Sequence, residues 1–157
     1  MFLHDVFSPE FIKIGLEAED KDEVFEELID HYCETNKINV REDLLKSLWD
    51  RETKMSTGIQ KGIAIPHGNT DAVENICGVL GLSRRGVDYD ALDGEPVYLF
   101  FMIFAPHKDK EQHLRILKQL SEILHNPQFF IDLQSQKDTQ GINKVIRKYE
   151  DLLITLD

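Results

Sequence analysis

The sequence predicts a single α/β domain, in which a mixed β-sheet of about five strands is flanked by helices on both faces. Residues 97–104 (VYLFFMIF) are apolar throughout, which is typical of a strand in the middle of a sheet that helices cover on both sides. Other strand-like segments are joined partly by helices and partly by short turns, which favours a mixed sheet. The 157 residues contain no repeat or linker, so one domain over 1–157 is expected.

The N-terminal part predicts one short strand and two amphipathic helices. Residues 11–16 alternate loosely between apolar and polar, as a first strand would. Asp20, followed three residues later by a glutamate, forms a capping-box pattern, and apolar residues at helical spacing extend this helix to about Glu34. The pattern recurs with Asn39 as the capping residue and predicts a second helix that ends near residues 54–55.

The central part predicts a glycine-containing loop and the remaining strands. Residues 57–68 contain three glycines and predict a loop, a short strand at 63–65 and a break at Pro66. Residues 76–82 (ICGVLGL) predict a further strand. Turn-forming residues at 93–96 separate that strand from the apolar one that follows.

The C-terminal part predicts three helices. Apolar residues at three- and four-residue spacing predict a long helix over 110–124, which Asn126-Pro127 ends. A short helix over 129–133 and a last one over 141–153 complete the chain. The buried stripe of the long helix is expected to comprise Leu114, Leu117, Leu120, Ile123 and Leu124.

Composition and charge exclude several classes of function. Asp and Glu (29) outnumber Lys and Arg (18), so the formal charge is −11 and no nucleic-acid partner is expected. The histidines and cysteines lack metal-ligand spacing, so no metal site is expected, and Cys33 and Cys77 are expected to be free thiols. The N-terminus does not resemble a signal peptide, and the longest apolar run is too short to cross a bilayer, so a cytoplasmic location is expected.

His67 is the first candidate for chemistry. It follows a predicted strand and Pro66 and precedes Gly68, a residue that lets another backbone or molecule approach closely. A neutral imidazole held at such an edge can be a nucleophile near pH 7. On these features alone, a histidine packed at a strand end is the more common outcome.

His113 and Arg51 are the second and third candidates. His113 lies in the first turns of the long helix, whose N-terminus attracts anions, although a half-buried histidine satisfied by a backbone carbonyl is the simpler interpretation. Arg51 lies at the end of the second helix. It is either a cation that complements the helix C-terminus or a guanidinium placed to bind phosphoryl oxygens.

Three segments together resemble a known family. RETKMSTGIQKGIAIPHG (51–68) is similar to the active-site signature of enzyme IIA of the fructose/mannitol class, from the bacterial sugar phosphotransferase system. That class includes a nitrogen-regulatory branch. ALDGEPVYLFFMIFAP (91–106) and EQHLRILKQLSEIL (111–124) resemble the same family's central strand and its helix with a second histidine. The resemblance covers nearly the whole chain in the right order.

The resemblance implies a role for each matching residue. His67 corresponds to the phosphorylated histidine, His113 to a second histidine that helps to bind the phosphoryl group, and Arg51 to an arginine near the phosphoryl oxygens. The loop residues that would bind the phosphoryl group are Thr57, Gly58 and Gly68. One His67 nitrogen is expected to be fixed by a backbone hydrogen bond, leaving the other free to attack, and no cofactor is expected.

The resemblance also implies partners and leaves the role open. The phosphoryl donor would be the phosphocarrier HPr or its nitrogen-branch counterpart, and the recipient would be enzyme IIB or a regulatory protein, with any contact to a membrane permease made only through partners. Sugar transport and regulation are both possible roles, and a free-standing single domain slightly favours regulation. A binding module that kept the fold but is no longer phosphorylated is the alternative, against which the presence of Arg51, His67 and His113 together argues.

Overall fold

Over residues 1–155, which the computed structural model describes, the chain forms six α-helices and six strands. Residues 156–157, the end of the expected domain, lie outside the described residues, as do the side chains of Gln60 and Thr155. The helices are α1 (Leu3–Val6), α2 (Lys21–Asn36), α3 (Arg41–Glu52), α4 (Lys110–Leu124), α5 (Pro127–Gln134) and α6 (Thr139–Thr155). The strands are β1 (Ile12–Ile14), β2 (Gly58–Gln60), β3 (Ile63–Ala64), β4 (His67–Asn69), β5 (Cys77–Val87) and β6 (Val97–Ala105).

The strands form one mixed sheet, which confirms the predicted fold class. Its order is β1-β5-β6-β3-β2, and β4 pairs with β6 further along that strand than β3 does. β1 is parallel to β5, and both β3 and β4 are parallel to β6. β5 is antiparallel to β6, and β2 is antiparallel to β3.

β6 is buried on both faces, as its apolar sequence predicts, because successive side chains of a strand point to opposite sides of the sheet. One face packs against residues of α1, α4, α5 and α6, and its β6 residues are Leu99, Phe101, Ile103 and Ala105. The other face packs against residues of α2 and α3, and its β6 residues are Val97, Phe100, Met102 and Phe104. The helices therefore form two layers with the sheet between them.

α2 and α3 are capped differently at their N-termini. The side chain of Asp20 accepts a hydrogen bond from the backbone N–H of Glu23 at 2.9 Å, so the predicted cap of α2 is confirmed. The capping residue of α3 is Val40 rather than Asn39, and it makes no side-chain cap hydrogen bond. α3 also ends earlier than expected, at Glu52, because the chain turns there and the Glu52 side chain bonds to Thr57.

The glycine-containing segment holds two strands that the sequence did not predict. β2 and β4 lie where a loop and a break were expected, on either side of the predicted strand β3. Lys61 and Gly62 have positive φ angles of 50° and 82°, and they turn the chain sharply between β2 and β3. β2 and β4 are three residues long and each contains a glycine, so neither shows the alternating apolar pattern by which a strand is predicted.

The buried stripe of α4 was only partly predicted. Leu114 is 67% exposed, whereas the buried residues are His113, Ile116, Leu120 and Ile123. Each helical residue is rotated by about 100° from the last, so an assignment that is off by one residue exposes the side chain concerned. Among residues 1–155, no helix combines the length and apolar character needed to span a bilayer.

α1 was not predicted, because its four residues depend on a distant partner. The buried carboxylate of Glu150 on α6 accepts hydrogen bonds from the backbone N–H groups of Leu3 and His4. Asn143 donates to the carbonyl oxygens of His4 and Phe7, 2.9 Å away in each case. α6 therefore satisfies both ends of this short helix.

Candidate active site

His67 is the first residue of β4, and its ring is fixed by the backbone. Its Nδ1 lies 2.7 Å from the carbonyl oxygen of Ile65. A carbonyl oxygen can only accept, so Nδ1 carries the proton and the neutral ring has its lone pair on Nε2. The backbone hydrogen bond expected from the sequence is present.

The surroundings of His67 keep its ring neutral. Burial lowers the pKa of His67 below its usual value, and the nearby Arg51 cation acts in the same direction. The hydrogen bond to Ile65 and the carboxylate of Glu52 oppose this shift without reversing it. The His67 ring is therefore uncharged at neutral pH, with the lone pair of Nε2 unprotonated.

His113 lies beside His67. α4 places its ring 5.6 Å from the His67 ring, centroid to centroid, at an interplanar angle of 75°. The residue is only 3% exposed, and burial together with His67 lowers the pKa of His113 to about 4. Its Nδ1 lies 3.2 Å from Oδ1 of Asn69, while its Nε2 is buried and has no hydrogen-bond partner among the described residues.

Arg51 brings a positive charge to the site. Its Nη1 donates to the carbonyl oxygen of Met55 at 2.7 Å. Among residues 1–155, no carboxylate forms an ion pair with Arg51. Its charge and remaining N–H donors are therefore available to an anion.

A cavity of about 330 Å³ brings the three candidates together. Its lining includes Arg51, His67 and His113, with Lys54 and Leu114 among the other residues. A smaller adjoining cavity of about 180 Å³ also reaches Arg51 and His67. The cleft thus combines two cations, Arg51 and Lys54, with the neutral imidazoles of His67 and His113 and space for a group larger than a water molecule.

The three predicted loop residues make close structural contacts, and Gly68 and Thr57 each also line one of the two cavities. Thr57 directs both its backbone N–H and its hydroxyl to the carboxylate of Glu52. A Cβ at Gly58 would lie 2.8 Å from the Cβ of Ala91, and one at Gly68 would lie 2.7 Å from the backbone carbonyl oxygen of Ser47. Close packing explains the two glycines, and the binding of a phosphoryl group by these three residues stays a prediction.

Sequence reasoning missed two residues of the site. Asn69 follows His67 by two positions on the same strand, so the period of a strand could have shown that both side chains share a face. Glu52 gave no such signal, because glutamate is rarely buried and nothing nearby in sequence marks its partners. Among the described residues, no group of three or more His, Cys, Asp or Glu side chains could hold a metal ion.

An α/β fold with two histidines and an arginine in one cleft defines a class of protein, and comparison with protein families identifies that class. The family model for the phosphoenolpyruvate-dependent sugar phosphotransferase system, EIIA 2, matches residues 5–149. The chain therefore belongs to this enzyme IIA family, a phosphotransferase component.

Curated relatives carry both transport and regulatory names. The fructose-specific EIIA component of Haloferax volcanii is 34% identical over 126 residues, covering 80% of this chain and 82% of the relative. The nitrogen regulatory protein of Bradyrhizobium diazoefficiens is 30% identical over 146 residues, covering 93% and 95%. The fructose-specific EIIABC component of Bacillus subtilis is 33% identical over 96% of this chain, which spans only 24% of that longer relative.

Solved structures share the fold. The nitrogen regulatory protein IIA-Ntr of Neisseria meningitidis superposes with a TM-score of 0.84 and 26% identity, over 92% of this chain and 98% of that one. The mannitol enzyme IIA of Escherichia coli, in complex with phosphorylated enzyme IIB, gives a TM-score of 0.74 at 19% identity, over 90% and 97%. At that identity the second likeness concerns the fold alone.

Proposed function

We propose that this chain is a phosphocarrier that takes a phosphoryl group on Nε2 of His67 from phosphorylated HPr, or from its nitrogen-branch counterpart, and passes it on. The observation that carries the proposal is the hydrogen bond from Nδ1 of His67 to Ile65, which leaves a neutral Nε2 as the nucleophile. The adjacent Arg51, which has no carboxylate partner among the described residues, supports the same function.

The transfer step balances without a separate base. The Nε2 lone pair of His67 forms the new N–P bond while the bond from phosphorus to the donor nitrogen breaks, and that electron pair returns to the donor. The Nδ1 proton stays in place, so the phosphorylated ring carries a positive charge. The Ile65 carbonyl dipole stabilises that charge, and Arg51 neutralises the phosphoryl oxygens.

His113 serves as a second contact for the phosphoryl group. A negatively charged group arriving beside this buried ring raises its proton affinity. If Nδ1 keeps its bond to Asn69, the incoming proton goes to Nε2, which has no other partner among the described residues. The resulting N–H donates to a phosphoryl oxygen and slows its loss to water.

The rim of the cleft suits a protein partner better than a small molecule. Met55 is 58% exposed beside the Arg51 anchor, and the exposed Leu114 and Ile59 line the two cavities. Exposed apolar side chains around a polar centre can exclude water from the reacting groups once a partner protein covers them. We propose that donor and recipient dock here in turn, the recipient being an enzyme IIB or a regulatory protein.

Reconstitution tests the proposal. The purified chain is incubated with phosphoenolpyruvate, enzyme I and HPr or the nitrogen-branch counterpart, and intact mass and peptide mapping locate any phosphoryl group. We expect one acid-labile, HPr-dependent group on His67 in the wild type and in a His31→Ala control, since His31 lies on α2 and bonds to Glu10. His67→Ala should accept none. Phosphorylation of His67→Ala, or none in the wild type with either donor, would contradict the proposal.

A further inference from the structure

A buried carboxylate lies behind the cleft and belongs to Glu52, the last residue of α3. The residue is 6% exposed. Its Oε2 accepts from the backbone N–H of Thr57 at 2.8 Å, and its Oε1 accepts from the Thr57 hydroxyl at 2.6 Å. The Tyr89 hydroxyl lies 2.8 Å from the Thr57 hydroxyl oxygen and donates to Oε1 of Glu52 at 3.4 Å. One carboxylate thus holds both donors of a single loop residue.

The charge of Glu52 is balanced by Lys21 and not by its neighbour Arg51. Nζ of Lys21, the first residue of α2, lies 2.9 Å from Oε2 of Glu52 and 4.7 Å from the centre of the Tyr89 ring. A buried carboxylate needs such a counter-ion. Because Lys21 pairs with Glu52, the Arg51 guanidinium is not needed as the counter-ion of Glu52, and its charge is available in the cleft that it lines.

Glu52 is connected to both sides of the proposed reaction centre. Thr57, which it holds, accepts a hydrogen bond through its own carbonyl oxygen from the N–H of Ile65 at 3.0 Å. The Ile65 carbonyl oxygen in turn holds His67. On the other side, residues 53–57 carry the Met55 carbonyl oxygen that holds Arg51.

We propose that Glu52, with Lys21 as its counter-ion, is a positioning residue for phosphoryl transfer. It fixes Thr57, and through Thr57 it sets the two carbonyl oxygens that orient Arg51 and His67. This inference rests on the proposed function of His67. Glu52 does not contact the phosphoryl group, so its effect is on the geometry of the step and not on the docking of HPr.

The test compares three variants under the same assay. Glu52→Gln removes the charge and leaves one Thr57 donor without its acceptor, and Thr57→Val removes the hydroxyl while the Glu52–Lys21 pair remains. Glu150→Gln is the matched control, because Glu150 is also buried (4% exposed) and also holds two backbone N–H groups, those of Leu3 and His4. Thermal unfolding is measured for each variant, together with kcat and KM for phosphorylated HPr.

We expect all three variants to unfold at lower temperature than the wild type. Only Glu52→Gln and Thr57→Val, the two cleft variants, should also have a lower kcat. The decrease should be roughly tenfold in Glu52→Gln and smaller in Thr57→Val. KM for HPr should be unchanged, because misplacement of reacting groups slows the step without weakening docking. A wild-type kcat in both cleft variants, an effect on KM alone, or an equal loss of kcat in Glu150→Gln would overturn the proposal.

A second measurement separates this inference from the proposed function. The Nδ1 proton of His67, bonded to Ile65, should give a slowly exchanging NMR signal in the unphosphorylated protein. That signal should exchange faster in Glu52→Gln and Thr57→Val and stay unchanged in Glu150→Gln. If the wild type accepts no phosphoryl group, the proposed function fails, and this signal still decides whether Glu52 positions His67. An unchanged signal in both cleft variants would show that it does not.

Discussion

Nδ1 of His67 lies 2.7 Å from the carbonyl oxygen of Ile65, a residue two positions earlier in the chain. The intervening Pro66 has no N–H, and its carbonyl oxygen accepts from the N–H of Ile103 on β6, which ties this short connection to the sheet. A local backbone contact therefore selects the tautomer of the ring. The chemistry proposed for the cleft depends on this relationship.

The first prediction concerns pH. Because burial and Arg51 lower the pKa of His67, its ring should be less protonated at pH 6 than an ordinary histidine with a pKa of about 6.5. NMR titration of the histidine ring signals measures this directly. A His67 pKa above the ordinary histidine value would contradict the electrostatic account.

The second prediction concerns stability at low pH. The pKa of His113 is about 4 in the folded protein, so between about pH 6.5 and pH 4 the unfolded chain binds a proton that the folded protein does not. This residue should therefore lower the free energy of unfolding as pH falls through that range. Urea unfolding at several pH values should show a weaker pH dependence in His113→Gln than in the wild type, and equal slopes would contradict the assignment.

The third prediction concerns transfer in the same variant. A neutral amide cannot take up a proton and become a charged donor to the phosphoryl oxygens as the His113 ring does, so His113→Gln should accept the group roughly ten- to a hundredfold more slowly and lose it to water faster. Single-turnover transfer and hydrolysis of the phosphorylated protein measure the two effects. Wild-type values for both rates would remove His113 from the mechanism.

The fourth prediction concerns Arg51. Its guanidinium can hold the Met55 carbonyl oxygen and bind phosphoryl oxygens at once, which a lysine ammonium at the same position matches poorly. Arg51→Lys should therefore lower kcat by roughly a hundredfold, the effect typical of removing one hydrogen-bond donor that stabilises a transition state. Arg41→Lys is the control, since Arg41 lies at the other end of α3 and pairs with Asp30. Equal rates in Arg51→Lys and the wild type would contradict the role of the planar group.

The fifth prediction concerns the packing of β4 against α3. A Cβ at Gly68 would lie 2.6 Å from Oγ of Ser47 and 2.7 Å from its backbone carbonyl carbon and oxygen. Gly68→Ala should therefore destabilise the fold by about 1–3 kcal/mol, as overpacking does. Adding Ser47→Ala should not restore stability, because the backbone atoms remain in contact. Chemical denaturation measures both, and wild-type stability of Gly68→Ala would contradict the packing.

The sequence predicted the parts of the fold that a local pattern specifies. The bounds of α4 were predicted to the residue, and the apolar run of β6 correctly indicated burial on both faces. The capping residue Asp20 was also correct, because its partner is three residues away. α1 was missed because it depends on Glu150, nearly the whole chain length distant.

The sequence predicted three residues that line the cleft, but it did not predict the buried contacts behind them. Arg51, His67 and His113 line one cavity, although their roles stay a prediction. The direction of the Thr57 hydroxyl could not be predicted, because it depends on the burial of Glu52 and on Tyr89, 32 positions further along. Contacts of this kind arise only when separate elements pack together.

The most direct test of the central claim is to identify the nitrogen that carries the phosphoryl group. The protein is labelled with 15N-histidine, phosphorylated through HPr and studied by NMR experiments that correlate the ring nitrogens with the ring protons. We expect phosphorus to be bonded to Nε2 of His67 and Nδ1 to keep its proton. A phosphoryl group on Nδ1, or on another residue, would contradict the claim.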